Sequence, residues 1–520
     1  MSEPEGSIRE HGLSGEAAAD VRTVAKGGAV QVLGQVTQRG LLFVFQAFAI
    51  RYLGTAPYGV YRQISQVLNV GGQVGLAGFN YAGMRFITRA RAAKEHGGVK
   101  GAARVAIAGA LITSGVVFAA LLVSADLLAP YFADVAGDED AFARFLRIGA
   151  AYVPLFALLQ VLRYCTQAYK TMVPSVLAGN VVQPAARFAL GVGLLIAGYE
   201  VAGAVTTLVV SVAIAAVFAG IYLRRMLSED ERRAPPVTRI GPMLRFAFPQ
   251  AGASLLSVQS LGLGILMLGL ASTDEQVALF GVALSLQGPG NVFLGGIVNI
   301  WAPVVSDLHE KGEIARLGSL YQTINRWIAT FSFPVFAALM IEPDLFVRLF
   351  AGNEGRGAGS AVAILAVGNI FYTGTGPTGY VISMTGRPGV NFANSIAAVA
   401  AYAGLGALVV PDHGAVGMAF VDAAVTALVN SARVIEAKLL VGVQPFGSTF
   451  YKPVVATIAG AAVLLPWSLF ADDTVWLEVA GIVVAAAAFV AVLRGLGLDA
   501  EERHVWELIR KRAFPRSTRV

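Results

Sequence analysis

Fourteen apolar stretches alternate with short, charge-bearing loops from near Lys26 to near Arg494. They span residues 27–50, 59–83, 104–125, 145–168, 172–197, 201–223, 246–271, 277–303, 320–341, 358–383, 389–410, 414–435, 453–470 and 475–494. A bilayer core roughly 30 Å thick takes about 20 apolar residues per helix. Lipid offers no partner for a backbone N–H or C=O, so each crossing must close its own hydrogen bonds. The pattern predicts an all-α, polytopic membrane protein with 14 transmembrane helices. Composition agrees: 14% of the 520 residues are charged, against about 25% in a soluble domain, and mean hydropathy is +0.65.

Charge sorting predicts the orientation. An even number of crossings puts both termini on one side. If that side is cytoplasmic, inner segments hold 31 of the 39 Lys and Arg residues, and outer segments hold six: Arg51, Arg62, Arg144, Arg147, Arg348 and Arg356. Inner loops of membrane proteins collect Lys and Arg, so the asymmetry predicts cytoplasmic termini in the cytoplasmic (inner) membrane. The same rule accounts for the net charge of +6, and no basic soluble face suggests nucleic acid. Cys165 is the only cysteine, which rules out a disulfide within the chain. The five histidines lie in tails or loops without a Cys/His cluster, so no metal or other cofactor is expected. The polar first 26 residues and the full-length first apolar span speak against a cleavable signal peptide.

Three correspondences suggest an internal repeat. Tyr58-Gly59-Val60 matches Phe280-Gly281-Val282, Gly203-Ala204-Val205 matches Gly414-Ala415-Val416, and Pro174 matches Pro388, at offsets of 222, 211 and 214 residues. The expected organisation is a cytoplasmic tail (1–26), a six-helix bundle (27–223), a flexible cytoplasmic linker with Pro235, Pro236 and six arginines (224–245), a second six-helix bundle (246–435), two additional helices (453–494) and a basic cytoplasmic tail (495–520). Six helices being even, the bundles share one orientation, related by a pseudo-twofold axis along the membrane normal.

Polar residues inside the spans form stripes. The first span has Gln31, Gln35, Arg39 and Gln46; the second has Arg62, Gln66, Asn69, Gln73 and Asn80; the fourth has Gln160, Tyr164 and Gln167. The fifth has Asn180, Gln183 and Arg187; the eighth has Gln287, Asn291 and Asn299; the twelfth has Asp422, Thr426 and Asn430. Spacings of three, four and seven put each set on one helix face. A single Gln or Asn is most simply helix-to-helix glue, whereas stripes of four or five suggest a water-filled cavity. Candidate cavity residues are Arg39, Arg187, Arg62, Gln66, Asn69, Gln73, Gln35, Gln183, Gln287 and Asn291. Arg39 and Arg187 are the sharpest, because a mid-membrane arginine costs about 2.5–3.5 kcal/mol even on a lenient scale. Either they pair with Asp422, the one mid-span carboxylate, or they receive an anionic substrate. Arg85, Arg163, Arg245 and Arg326, at inner ends of spans, read as ordinary anchors. The third, sixth, thirteenth and fourteenth spans carry almost no polar groups and are the lipid-facing candidates.

No Ser/His/Asp grouping, phosphate-gripping loop or large outer loop with paired acids appears, so the chain does not read as an enzyme. Its motifs resemble those of the polysaccharide-transporter, O-antigen-type flippases in the multidrug/oligosaccharidyl-lipid/polysaccharide exporter superfamily. Arg51-Tyr52-Leu53-Gly54-Thr55-Ala56-Pro57-Tyr58-Gly59-Val60-Tyr61 is similar to the family's segment between its first two helices. Phe246-Ala247-Phe248-Pro249, Trp301-Ala302-Pro303-Val304-Val305-Ser306 and Thr385-Gly386-Arg387-Pro388 resemble its later helix-end motifs. An Asp common in the family's seventh helix is absent; the chain there reads Gly262-Leu263-Gly264-Ile265.

The resemblance implies alternating-access transfer of a polyprenyl-diphosphate-linked oligosaccharide from the inner to the outer leaflet, for cell-surface polysaccharide synthesis. The implied partners are the lipid-linked glycan, membrane lipid and polysaccharide polymerase machinery, with Asp422 as coupling candidate. Two alternatives make different demands. A cation-coupled multidrug exporter predicts an acid-rich cavity, against two arginines and one aspartate in mid-span. A membrane polysaccharide polymerase or ligase predicts a large catalytic outer loop, where no outer loop here exceeds about 20 residues.

Overall fold

The computed structural model describes residues 15–132, 139–169, 171–255, 262–470 and 474–497. Every regular element among them is helical. The first half of the chain comprises α1 (Gly15–Leu53), α2 (Thr55–Leu76), α3 (Phe79–Ala92), α4 (His96–Phe132), α5 (Glu139–Ala150), α6 (Tyr152–Gln167), α7 (Val173–Val176), a π-helical turn (Leu177–Val182), α8 (Gln183–Ile196) and α9 (Glu200–Met226). A short α10 (Glu229–Arg233) leads to the second half: α11 (Ile240–Leu255), α12 (Leu263–Ala271), α13 (Asp274–Leu286), α14 (Val292–Glu310), α15 (Ile314–Ile341), α16 (Pro343–Ala351), α17 (Gly359–Thr375), α18 (Thr378–Met384) and α19 (Pro388–Val441). Two last helices, α20 (Tyr451–Phe470) and α21 (Val475–Gly495), pack on α15 through Ala338, Leu464 and Ala485.

Among the described residues, eight helices are long and apolar enough to cross a membrane, or nine if the bent pair Asp274–Leu286 and Pro289–Val298 makes one crossing. The difference from fourteen has local causes. The second apolar stretch breaks at Ala77 and Gly78, both at positive φ. The tenth breaks at Gly376-Pro377, between α17 and α18. The eleventh and twelfth stay two helices that meet end to end within α19 at Gly414, where φ 51° and ψ −132° are not helical, so they count as one long run. Breaks inside membrane helices are tolerated where protein or water covers the freed backbone groups.

The surface is apolar, as lipid requires: Val123, Leu408, Leu439, Leu469, Phe470 and Trp476 are all at least 75% exposed. Three of the four lipid-facing candidates agree with this, with only 22% of the apolar window buried in α4, α20 and α21. The sixth span, α9, is a correction, since half of its window is buried. Gly203, Thr207, Ser211, Ala215 and Ala219 make one face of small side chains there, and small residues let helix backbones approach closely.

The linker is docked rather than free. Ser228 and Glu231 form a reciprocal capping box at the start of α10. The Glu231 carboxylate accepts from Arg91 (3.3 Å) and from the Tyr169 hydroxyl (3.0 Å). Burial, and then the Glu231 charge, push the Tyr169 phenol up. Lys100 donates to the carbonyls of Arg232 and Ala234, the Val237 amide donates to the Gly97 carbonyl at 2.8 Å, and Arg239 pairs with Glu95.

At the opposite end the two halves are joined directly. Arg51 donates to the carbonyls of Phe350 (3.0 Å), Arg348 (3.1 Å) and Leu349, at the C-terminus of α16. The Thr55 hydroxyl donates to the Glu354 carbonyl at 2.7 Å, and the Thr55 amide donates to the Glu354 carboxylate at 3.1 Å. Deeper in the seam Gln63 donates to Asp274. A Cβ on Gly59 would overlap the Asp274 backbone, so the close approach of α2 and α13 requires glycine at that position.

Candidate functional site

Between the halves lies a cavity of about 730 Å³. Its first-half wall is Gln31, Gln35, Gln38 and Arg39 of α1, Arg163 of α6 and Asn180 of the π turn. Its second-half wall includes Gln287 and Asn291 at the α13–α14 bend, Asn369 and Tyr372 of α17, Tyr380 of α18 and Asp422 of α19. Gln31 to Arg39 precede the Arg51 end of α1, so the cavity occupies the half of the bundle away from the Arg51–Glu354 seam.

The two arginines are held differently. Arg163 is fixed: its Nε donates to the Ser175 carbonyl at 3.0 Å and its Nη2 to Asn180 Oδ1 at 2.9 Å. Its guanidinium lies against Gly179, where a Cβ would collide with it. The π turn that presents Asn180 and Gly179 has a sequence cause. Pro184 has no N–H to give the carbonyl of residue 180, so the α-helical ladder is interrupted there. Arg39 is free by comparison. Its Nη2 would stand 2.8 Å from a Cβ on Gly295 of α14, and among the described residues no carboxylate pairs with it.

The second-half wall is a chain of amides. Gln287 Nε2 donates to the Val362 carbonyl at 3.1 Å. Asn291 Nδ2 donates to Asn369 Oδ1 at 2.7 Å, and Asn369 Nδ2 to the Leu365 carbonyl at 2.9 Å. This leaves the buried acceptors Gln287 Oε1 and Asn291 Oδ1 without a partner. Buried polar atoms are normally satisfied, so this wall is suited to a ligand or water that brings hydroxyl donors. Asp422 accepts from the Tyr402 hydroxyl at 2.9 Å, within the second half, and not from either arginine.

Five of the sequence candidates therefore line one cavity: Gln35, Arg39, Gln287, Asn291 and Asp422. The others lie elsewhere. Arg187 donates to the Tyr61 hydroxyl and sits over the Phe45 ring, 5.4 Å from its centroid, inside the first half. Arg62 lies beside Gly281 and Gln66 beside Gly262, both along the seam with the second half. Asn69 accepts from the Tyr152 hydroxyl at 2.8 Å. Gln73 and Gln183 are half-buried outside the cavity wall. The side chains of Asn299 and Pro388 lie outside the described residues.

The sequence reading missed Arg163, taken for an anchor, and the set Asn369, Tyr372 and Tyr380. Both left signals. Arg163 follows Gln160 by three positions, and Asn369 and Tyr372, three apart, share a face of α17.

A family model described as polysaccharide biosynthesis protein matches residues 24–309, more than half of the chain. Among solved structures, the fold is similar to a lipid II flippase, MurJ, in an inward closed conformation, with a TM-score of 0.68 at 10% identity over 91% of this chain and 98% of that one. It is also similar to an inward-facing multidrug resistance MATE family transporter of the MOP superfamily, with a TM-score of 0.67 at 15% identity over 80% and 98% of the two chains. An outward-facing MATE transporter gives 0.57 at 15% identity, over 81% and 96%. No curated protein sequence matches.

Proposed function

The chain belongs to the polysaccharide biosynthesis protein family, and from that membership we propose that it is a flippase. It carries a polyprenyl-diphosphate-linked oligosaccharide from the inner to the outer leaflet of the cytoplasmic membrane by alternating access. The observation that supports this most is the composition of the cavity. Two guanidinium groups on one wall suit a diphosphate, and unpartnered amide oxygens on the other suit sugar hydroxyls. The Arg163 fork is held in place before a ligand arrives, which lowers the cost of binding.

In this reading fourteen crossings form two pseudo-twofold-related bundles, 27–223 and 246–435, with 453–494 outside them and both termini in the cytoplasm. The state in this reading is inward-facing, with the shut seam from Arg51 to Glu354 on the outer side and the cavity toward the basic loops. Rocking of the halves opens that seam and closes the inner side. No bond is made or broken in the substrate. Asp422, on the same cavity wall, is the candidate for ion coupling. The cavity offers two cations and one acid, which favours an anionic cargo over a cationic drug.

Flipping of a fluorescent polyprenyl-diphosphate oligosaccharide in reconstituted vesicles tests the proposal. Losing one charge-assisted contact costs about 1.5–3 kcal/mol, so Arg39→Ala and Arg163→Ala should each weaken substrate affinity by roughly 10- to 150-fold. Undiminished flipping by a stable Arg39→Ala/Arg163→Ala double variant refutes it.

A further inference from the structure

A second seam between the halves carries a pocket of about 220 Å³ lined by Arg85, Phe86, Arg89, Pro242, Arg245 and Phe246, none of which lines the cavity. The first three residues belong to the last turns of α3, and the others to the first turns of α11. Three guanidinium groups thus face one space across the junction of the halves, and no carboxylate lines it. Among the described residues none of the three side chains has a hydrogen-bond or ion-pair partner. Glu95, in the adjoining pocket shared with Arg89, is already engaged by Arg239.

All three are exposed, as basic loop residues are, and what sets them apart is that they converge on one pocket. Arg85 is also pre-positioned, its guanidinium stacked 4.4 Å from the Phe246 ring centroid. Phe86 and Phe246 add apolar walls beside the charges, and the site lies where the basic loops meet the apolar spans. Cationic forks beside aromatic walls at that level match a phosphate on an apolar chain. The volume is several times the roughly 30 Å³ share of a water molecule, enough for a phosphate or diphosphate group.

We propose that Arg85, Arg89 and Arg245 form a binding site for the phosphate headgroup of a membrane lipid, which fastens α3 to α11 at the basic face. The headgroup belongs either to the polyprenyl diphosphate or to a bulk anionic phospholipid. Binding bridges the halves and therefore stabilises the arrangement in which these two helices touch.

The test uses the full-length Arg39→Gln/Arg163→Gln protein in phosphatidylcholine nanodiscs, so that binding at this seam is read apart from the central cavity. The probes are undecaprenyl diphosphate, phosphatidylglycerol and inorganic pyrophosphate. Adding Arg85→Gln, Arg89→Gln and Arg245→Gln together should weaken a lipid probe by about tenfold or more. Single changes on either side of the seam, Arg85→Gln or Arg245→Gln, should each weaken it, which keeps the test open if the combined variant is unstable. Neutralising Arg224, Arg225 and Arg316, which are exposed on the same face but do not line this pocket, should change affinity by less than about threefold, since dispersed surface charges are screened. The lipid probe that shows the dependence identifies the source. Equal loss in the control set, or equal binding of inorganic pyrophosphate, overturns the proposal.

Discussion

Replacing Arg51 by alanine should shift the protein toward its outward-open state. Arg51 reaches from the end of α1 to three carbonyls at the end of α16, on the other half. Those carbonyls lie in the last turn of that helix, where carbonyls run out of intrahelical donors and carry the negative end of its dipole; the Arg348 carbonyl also accepts from the Gly352 amide. A hydrogen bond from a charged donor is worth about 1.5–3 kcal/mol in favourable surroundings. Arg51 is exposed, and exposure cuts such contacts to about 0.5–1 kcal/mol each. Three of them give about 1.5–3 kcal/mol, or a roughly 10- to 150-fold change in the ratio of outer-closed to outer-open molecules. Spin labels at Pro57→Cys and Asn353→Cys, both exposed and on opposite sides of the seam, report that ratio by pulsed electron spin resonance. Cys165 is fully buried and stays unlabelled. Arg51→Ala should add or enlarge a long-distance population, and Arg51→Lys, which keeps the charge but loses the fork, should fall between. An unchanged distance distribution in Arg51→Ala would show that this contact does not hold the seam shut.

Three further outcomes follow from the packing. Gly59→Ala should raise the outer-open population in the same assay and lower thermal stability by about 1–3 kcal/mol, because its Cβ meets the Asp274 backbone; a normal melting temperature and distance distribution would refute the close-approach argument. In the resting protein, cysteines at Gln35 and Asn291 should react with small hydrophilic thiol reagents faster than cysteines at Arg62 and Gln66, and equal rates would contradict the placement of the second-span stripe on the closed seam. A cysteine at Asn353 should be labelled from outside intact cells and one at Lys311 should not; the reverse pattern would invert the topology.

The helical fold was legible because lipid imposes one rule on every span, and apolar length reports it directly. The breaks were not, since they depend on which backbone groups find partners in three dimensions. Ala77 and Gly78 show the difference. The sequence reads one span through residues 59–83, yet both take positive φ and end α2 there. Half of the site was legible for a similar reason. Periodicity told which residues share a face, as for Gln31, Gln35 and Arg39, but not what that face meets. The Arg62-to-Gln73 stripe is as regular as the one on α1, yet much of it runs along a closed seam. Arg187 and Arg39 look alike in sequence, and only packing shows that one is enclosed by Tyr61 and Phe45 while the other projects into open volume. Depth alone reads Arg163 as an anchor, whereas its place in the cavity wall depends on a π turn set by Pro184.

The docked linker changes how the two halves are tethered. A free coil covering residues 227–239 would have a root-mean-square reach of roughly 20 Å, slack enough for one half to drift sideways against the other. Contacts at Glu231, Val237 and Arg239 remove that slack by fastening the strap to the first half almost up to the start of α11. The covalent connection is thereby reduced to a single pivot near Ile240. A body held at one point can swing but cannot slide, so the chain's own path confines the second half to rotation about the base of α11.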